Sequence, residues 1–161
     1  MLKYNNYDIV FQEIPGEITL AVNLSNCPNR CKGCHSPHLQ MDFGEIFDED
    51  VLDNLLDKYG SSITCFCFMG GDSDPMEVER LSLLVHKKSN GNIKTGWYSG
   101  RARFPESISV NNFDYIKLGP YIERFGGLDS STTNQRFYEI GKGRMIDKKY
   151  LFQQKDKLFH K

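Results

Sequence analysis

The chain has no excess of charge: 20 Lys and Arg stand against 21 Asp and Glu, a net charge of −1. Proteins that grip a nucleic-acid backbone usually carry a clear basic excess, so no nucleic-acid partner is expected. No apolar run approaches the roughly 18 residues a membrane helix needs. The first residues, MLKYNNYDIVFQEIPG, hold no signal-peptide core. No membrane association is expected, and the expected location is the cytoplasm. Internal repeats and low-complexity segments are missing too. With 39% hydrophobic and 12% aromatic residues, the composition is that of a globular chain. At 161 residues a single domain over 1–161 is expected. A domain of this size buries about 70% of its unfolded surface and needs no staple. Nor is there an even set of cysteines. The five are Cys27, Cys31, Cys34, Cys65 and Cys67, and an odd number in a cytosolic chain does not make a disulfide framework.

What is present is an alternation of strand and helix patterns. Residues 7–13 and 17–23 alternate apolar and polar side chains around Pro15-Gly16, which reads as a hairpin or tight connection. From residue 24 to 38 that periodicity stops, and Asn, Pro, Gly, Lys and Cys form a loop. Asp48 caps a helix to about Tyr59, with Val51, Leu52, Leu55, Leu56 and Tyr59 as its apolar stripe and Gly60 as its stop. Residues 63–69 read as a buried strand broken by Gly70-Gly71-Asp72. Asp74-Pro75-Met76-Glu77 is a capping-box pattern opening a helix to about Lys88. Residues 92–98, 114–118 and 137–140 read as further strands, and 105–111 as a short helix.

Strands alternating with helices imply βαβ units. The expected class is α/β, as a partial (β/α) barrel or an open, mostly parallel sheet, because a complete eightfold barrel needs about 250 residues. In either architecture ligands bind at the carboxyl ends of strands. The cysteine loop and Gly70-Gly71-Asp72 each follow a strand, so both are expected on one edge of the sheet.

The spacing Cys27-x3-Cys31-x2-Cys34 brings three thiolates within eight residues. Soft sulfur ligands select zinc or iron–sulfur clusters. A zinc site would want a fourth ligand, from His35 or His38. A 4Fe–4S cluster normally takes four cysteines, so three would leave one iron without a protein ligand, which is either a flaw of that reading or the place where a substrate binds. Cys31-Lys32-Gly33-Cys34-His35 also has the spacing of a c-type haem attachment string, but that chemistry usually requires export. Cys65 and Cys67, two apart on a strand, share one face and read as core thiols. Thr95 and Trp97 share a face of their strand, where they either line a ligand cleft or, for Trp97 above all, sit in the core. His38 reads as a solvent residue. Asn134, Gln135 and Arg136 either close the site, touch a partner or form a plain loop. Residues 141–161 carry seven Lys and Arg against two Asp, a basic tail that either steers an acidic partner or is simply solvated.

The cysteine pattern resembles that of the radical S-adenosylmethionine superfamily. Within it, the chain is similar to the anaerobic ribonucleoside-triphosphate reductase activating proteins. The resemblance rests on Asn26-Cys27-Pro28-Asn29-Arg30-Cys31-Lys32-Gly33-Cys34-His35, on Phe68-Met69-Gly70-Gly71-Asp72, on Lys94-Thr95-Gly96-Trp97 and on Ser131-Thr132-Thr133-Asn134-Gln135-Arg136. These segments fall in order across about residues 8–140. Two positions depart from the pattern: His35 stands where an aromatic, often Tyr, commonly follows the last cysteine, and Asp72 where much of the superfamily has Glu.

The resemblance implies a set of roles. Cys27, Cys31 and Cys34 hold a 4Fe–4S cluster whose fourth iron is chelated by S-adenosylmethionine. Gly33, Cys34, His35, Gly70, Gly71, Asp72 and Thr95 contact the cofactor, with His35 lying on the adenine. The Gly70 and Gly71 carbonyls and Asp72 accept hydrogen bonds from the methionine ammonium. Reductive cleavage yields a 5′-deoxyadenosyl radical that takes hydrogen from a glycine of the anaerobic ribonucleotide reductase. Reduced flavodoxin or ferredoxin supplies the electron. Two alternatives stay open: activation of another glycyl radical enzyme, and a non-enzymatic Cys3His zinc-binding interaction module.

Overall fold

The computed structural model describes residues 1–29, 31–33 and 37–153. Its strands are β1 (Leu2–Val10), β2 (Thr19–Leu24), β3 (Glu45–Phe47), β4 (Cys65–Met69), β5 (Lys94–Tyr98), β6 (Tyr115–Leu118), β7 (Arg136–Gly141) and β8 (Arg144–Asp147). They form one eight-stranded sheet in the order β3-β1-β2-β4-β5-β6-β7-β8. The central strands β2, β4, β5 and β6 run parallel. On both flanks the pairs are antiparallel, so the sheet is mixed, with a parallel centre. No pair among the described residues closes β3 onto β8.

Two helices connect the parallel strands, α1 (Glu49–Tyr59) and α2 (Pro75–Lys88). Both begin where the sequence offers a side-chain acceptor to the orphan N–H groups of a first turn. Asp48 accepts from the Val51 N–H at 3.1 Å, and Asp74 from that of Glu77 at 3.3 Å, with Pro75 at the first helical position. Residues 105–111 do not form the expected helix. Pro105 is followed by turns, and only the 3-10 turn Val110–Asn112 forms, capped by Ser109. β3 and β8 were not legible as strands, and β1 begins five residues before its alternating stretch.

The two sheet faces differ in what covers them. Phe66 and Phe68 of β4, Leu20, Val22 and Leu24 of β2, and Trp97 of β5 pack with Leu52, Leu55, Val78, Leu81 and Val85 of the helices. Each such buried side chain contributes roughly 1.5–3 kcal/mol. The alternate residues, Cys65 and Cys67 of β4 and Tyr115 of β6, face the other way. There Ile14 and Leu128 from loops, with Phe137 of β7, form a smaller cluster, against which Phe152 of the helical residues 150–153 packs. No helix among the described residues is long and apolar enough to cross a membrane.

Candidate metal centre

The loop leaving β2 is sewn to its neighbours before it reaches the cysteines. The Ser25 N–H donates to the Lys3 carbonyl (2.9 Å), the Asn26 N–H to that of Met41 (2.9 Å) and the Cys27 N–H to that of Leu39 (2.8 Å). Asn26 turns the chain in the left-handed region (φ 59°), which asparagine tolerates better than most residues. Cys27 and Cys31 are free, half-buried thiols. Both line a cleft of about 320 Å³ on the side of the sheet opposite α1 and α2.

The floor of that cleft follows from strand register. Asn23 pairs with Met69, Met69 with Tyr98, and Tyr98 with Lys117. These four side chains therefore form one row across the carboxyl ends of β2, β4, β5 and β6, and all four line the cleft. Lys117 donates to the Gly119 carbonyl at 3.2 Å and lies 5.9 Å from the Tyr98 ring centre. The Tyr98 hydroxyl donates to the Glu13 carbonyl. Burial, then the neighbouring Cys67 and Glu13, holds its pKa well above the usual tyrosine range. It is a neutral donor at any physiological pH.

Gly70 lines the cleft (φ 105°), and a Cβ there would lie 3.2 Å from the Leu24 carbonyl oxygen. Its own carbonyl accepts from Trp97 Nε1 at 2.7 Å. The next two residues divide: Asp72 lines the cleft and Gly71 does not. Gly71 is buried on the helix side, where a Cβ would meet Val78 Cγ2 at 2.6 Å and Leu24 Cδ1 at 3.0 Å. It is glycine for its φ of 93° and for packing against α2. The Asp72 carboxylate is 2% exposed and has protein donors on both oxygens. Oδ1 accepts from Ser99 Oγ (2.6 Å), and Oδ2 from Asn29 Nδ2 (2.5 Å) and the Gly100 N–H (2.8 Å).

Thr95 is corrected outright. It is fully buried, pairing with Ser82 Oγ of α2 at 2.7 Å, and His86 Nε2 lies 3.2 Å from its hydroxyl. Strand alternation puts Thr95 with Trp97 on the helix-covered face, opposite the cleft. Trp97 is core, stacked on Phe113 at 5.7 Å. Gly33 is exposed at a left-handed turn (φ 76°) facing Glu123, outside the cleft lining. His38 is exposed on the 3-10 turn Pro37–Gln40. Gln135 lines the cleft and donates to the Gly119 carbonyl (3.4 Å). Asn134 donates to the Pro120 carbonyl (3.0 Å) and Arg136 to those of Thr133 and Gln135. Cys34 and His35 lie outside the described residues, as do 154–161 of the basic tail.

Cys65 and Cys67 are fully buried, and burial, the largest effect on each, pushes both thiols far above the usual range. Burial favours their protonated form, and both lie in the core, outside the lining of the cleft. The cleft residues missed from the sequence are Asn29, Asn23, Met69, Tyr98 and Lys117. Of these, the strand residues could have been found by taking the parity of Cys65 and Cys67 and extending it across the sheet.

Among the described residues no group of three or more His, Cys, Asp or Glu is placed to hold a metal ion. What the cleft does offer fits a thiolate-bound centre on Cys27 and Cys31. It has two accessible soft ligands, an amide donor 3.4 Å from the Cys27 sulfur, and a carboxylate already engaged by the protein. Residues 15–112 match the family model of the 4Fe-4S single cluster domain. No curated protein and no solved structure matches the chain.

Proposed function

The chain belongs to the 4Fe-4S single cluster domain family, and on that premise we propose that it is a radical S-adenosylmethionine activase that installs a glycyl radical on anaerobic ribonucleoside-triphosphate reductase. Cys27, Cys31 and Cys34 are the cluster ligands in this reading. A cluster with one iron free of protein supplies, with S-adenosylmethionine bound, the electron transfer and C–S cleavage that no side chain can perform. The single observation that carries the reading is the meeting, at the carboxyl edge of the parallel strands, of the half-exposed cysteines with Gly70 and the Asn23–Met69–Tyr98–Lys117 row.

The chain's own residues bind, orient and exclude water. The cleft's volume of about 320 Å³ is at the lower end of the range of small-molecule sites, about 300–1,000 Å³. Gly70 lets the backbone come close to a ligand. Tyr98 and Leu128 give the cleft apolar surface, while Lys117 offers a cation to an anionic group. The side of the sheet opposite α1 and α2 would receive a glycine-bearing loop of a protein substrate, which would bring its own wall. Reduced flavodoxin or ferredoxin is the proposed electron donor.

The test is anaerobic. Reduced protein should convert S-adenosylmethionine slowly to methionine and 5′-deoxyadenosine. With the reductase added, it should give a glycyl radical detectable by electron paramagnetic resonance. Cleavage without that radical, together with a radical on a different glycyl radical enzyme, would move the protein to another activase class. No cleavage by cluster-loaded, reduced protein would refute the radical reading.

A further inference from the structure

We infer that Asn29 is a positioning residue that donates a hydrogen bond to the Cys27 sulfur and raises the cluster's reduction potential, and that the buried Asp72 carboxylate exists in part to hold it there. The inference rests on the reading of the cysteine loop as an iron–sulfur site.

Asn29 Nδ2 carries two hydrogens and has two acceptors in reach. Asp72 Oδ2 lies at 2.5 Å and Cys27 Sγ at 3.4 Å. Asp72 cannot follow a drifting Asn29, because the rest of its polar surface is anchored. Ser99 Oγ and the Gly100 N–H donate to its side chain, and Arg101 donates to its backbone carbonyl at 3.0 Å. The charge-assisted bond to Asp72 fixes the orientation of the amide and so holds its second N–H toward the Cys27 sulfur. The far wall is equally specific. A Cβ on Gly100 would lie 2.5 Å from Asn29 Nδ2 and 3.0 Å from its Cγ, so only glycine leaves the amide its place.

The geometry gives the Gly-Gly-Asp turn a task besides shaping the cleft. It ties the ends of β4 and β5 to the cysteine loop through one side chain. A sulfur bound to iron carries negative charge that grows when the cluster takes an electron. A donor held against that sulfur favours the reduced state, as hydrogen bonds to cluster sulfurs do in general.

The test compares anaerobically reconstituted wild type, Asn29→Ala and Gly100→Ala by redox titration followed with electron paramagnetic resonance. Asp72 is left intact, since removing its charge would shift the potential by itself. Both variants should lower the midpoint, making reduction about tenfold less favourable, which is about 59 mV for one electron. Gly100→Ala brings no side-chain donor and acts by displacing the amide. Loss of the cluster from a folded Asn29→Ala chain, with Gly100→Ala loaded and shifted, would uphold the positioning role. An unchanged midpoint in cluster-loaded Asn29→Ala would overturn this inference and leave the iron–sulfur reading standing. A wild type that takes up no iron and sulfide would overturn that reading, and this inference with it.

Discussion

Cys27 and Cys31 share a side of the sheet with Cys65 and Cys67, yet the two pairs live in different chemical worlds. The first pair sits in a loop whose backbone is tied at 25–27 and whose thiols reach a cleft. The second sits mid-strand, without solvent, its thiols held protonated by burial. Met69 lies between them, 3.5 Å from the Cys67 sulfur and itself on the cleft floor. A thiol's use is decided by whether a thiolate can exist there, and along this face the change occurs within a single strand.

The sharpest break of the comparison is to remove one cysteine at a time. Cys27→Ala or Cys31→Ala should abolish cluster uptake, read as iron, sulfide and visible absorbance after reconstitution. Cys67→Ala should load normally and lose about 1–2 kcal/mol of stability in urea denaturation. Full loading of Cys27→Ala, or an empty Cys67→Ala that is still folded, would reverse the assignment of the two pairs.

The next largest effect separates the two glycines of the turn. Gly71→Ala adds a Cβ against Val78 at an unfavourable φ and should cost about 2–4 kcal/mol. That loss should appear as a lower Tm of the cluster-free protein. A neutral Gly71→Ala would show that this residue is not fixed by packing against α2.

Thr95 tests the faces themselves. Thr95→Val removes a buried hydroxyl bonded to Ser82 and should cost about 1–2 kcal/mol, with unchanged cluster content and S-adenosylmethionine binding. Weakened binding at unchanged stability would return Thr95 to the cleft.

The smallest effect is one of pH. Burial would raise the pKa of Asp114, but hydrogen bonds from His86 (2.8 Å) and the Thr95 N–H (2.8 Å) outweigh it and hold the carboxyl below its usual range. A depressed folded-state pKa stabilises the protein above the unfolded value of about 4. That contribution is lost as pH falls through the folded value. Asp114→Asn should therefore flatten the acid limb of the stability curve, measured as denaturation midpoints from pH 6 downward. An acid limb of unchanged steepness would remove Asp114 from the account.

Both helices were legible to within a residue, because Asp48, and Asp74 with Pro75, declare their starts through local hydrogen bonds and a fixed φ. The parallel strands were legible from their apolar runs. β3 and β8 were not, since a three- or four-residue edge strand exists only through pairing with residues far away in sequence. Alternation revealed that Thr95 and Trp97 share a face, but not which face the helices would take. That is decided by Ser82, His86 and the core around Phe113, none of which is local to β5. Asn29 was hidden for the same reason. Its partners are a carboxylate 43 positions on and a glycine whose missing Cβ matters only in space.

The central claim is that the loop beginning at Cys27 holds a cluster of iron and sulfide. Anaerobic reconstitution followed by metal and sulfide analysis tests it most directly. The account predicts a brown protein with about four irons and four sulfides per chain. A colourless protein that keeps one tightly bound zinc through the same treatment would contradict it.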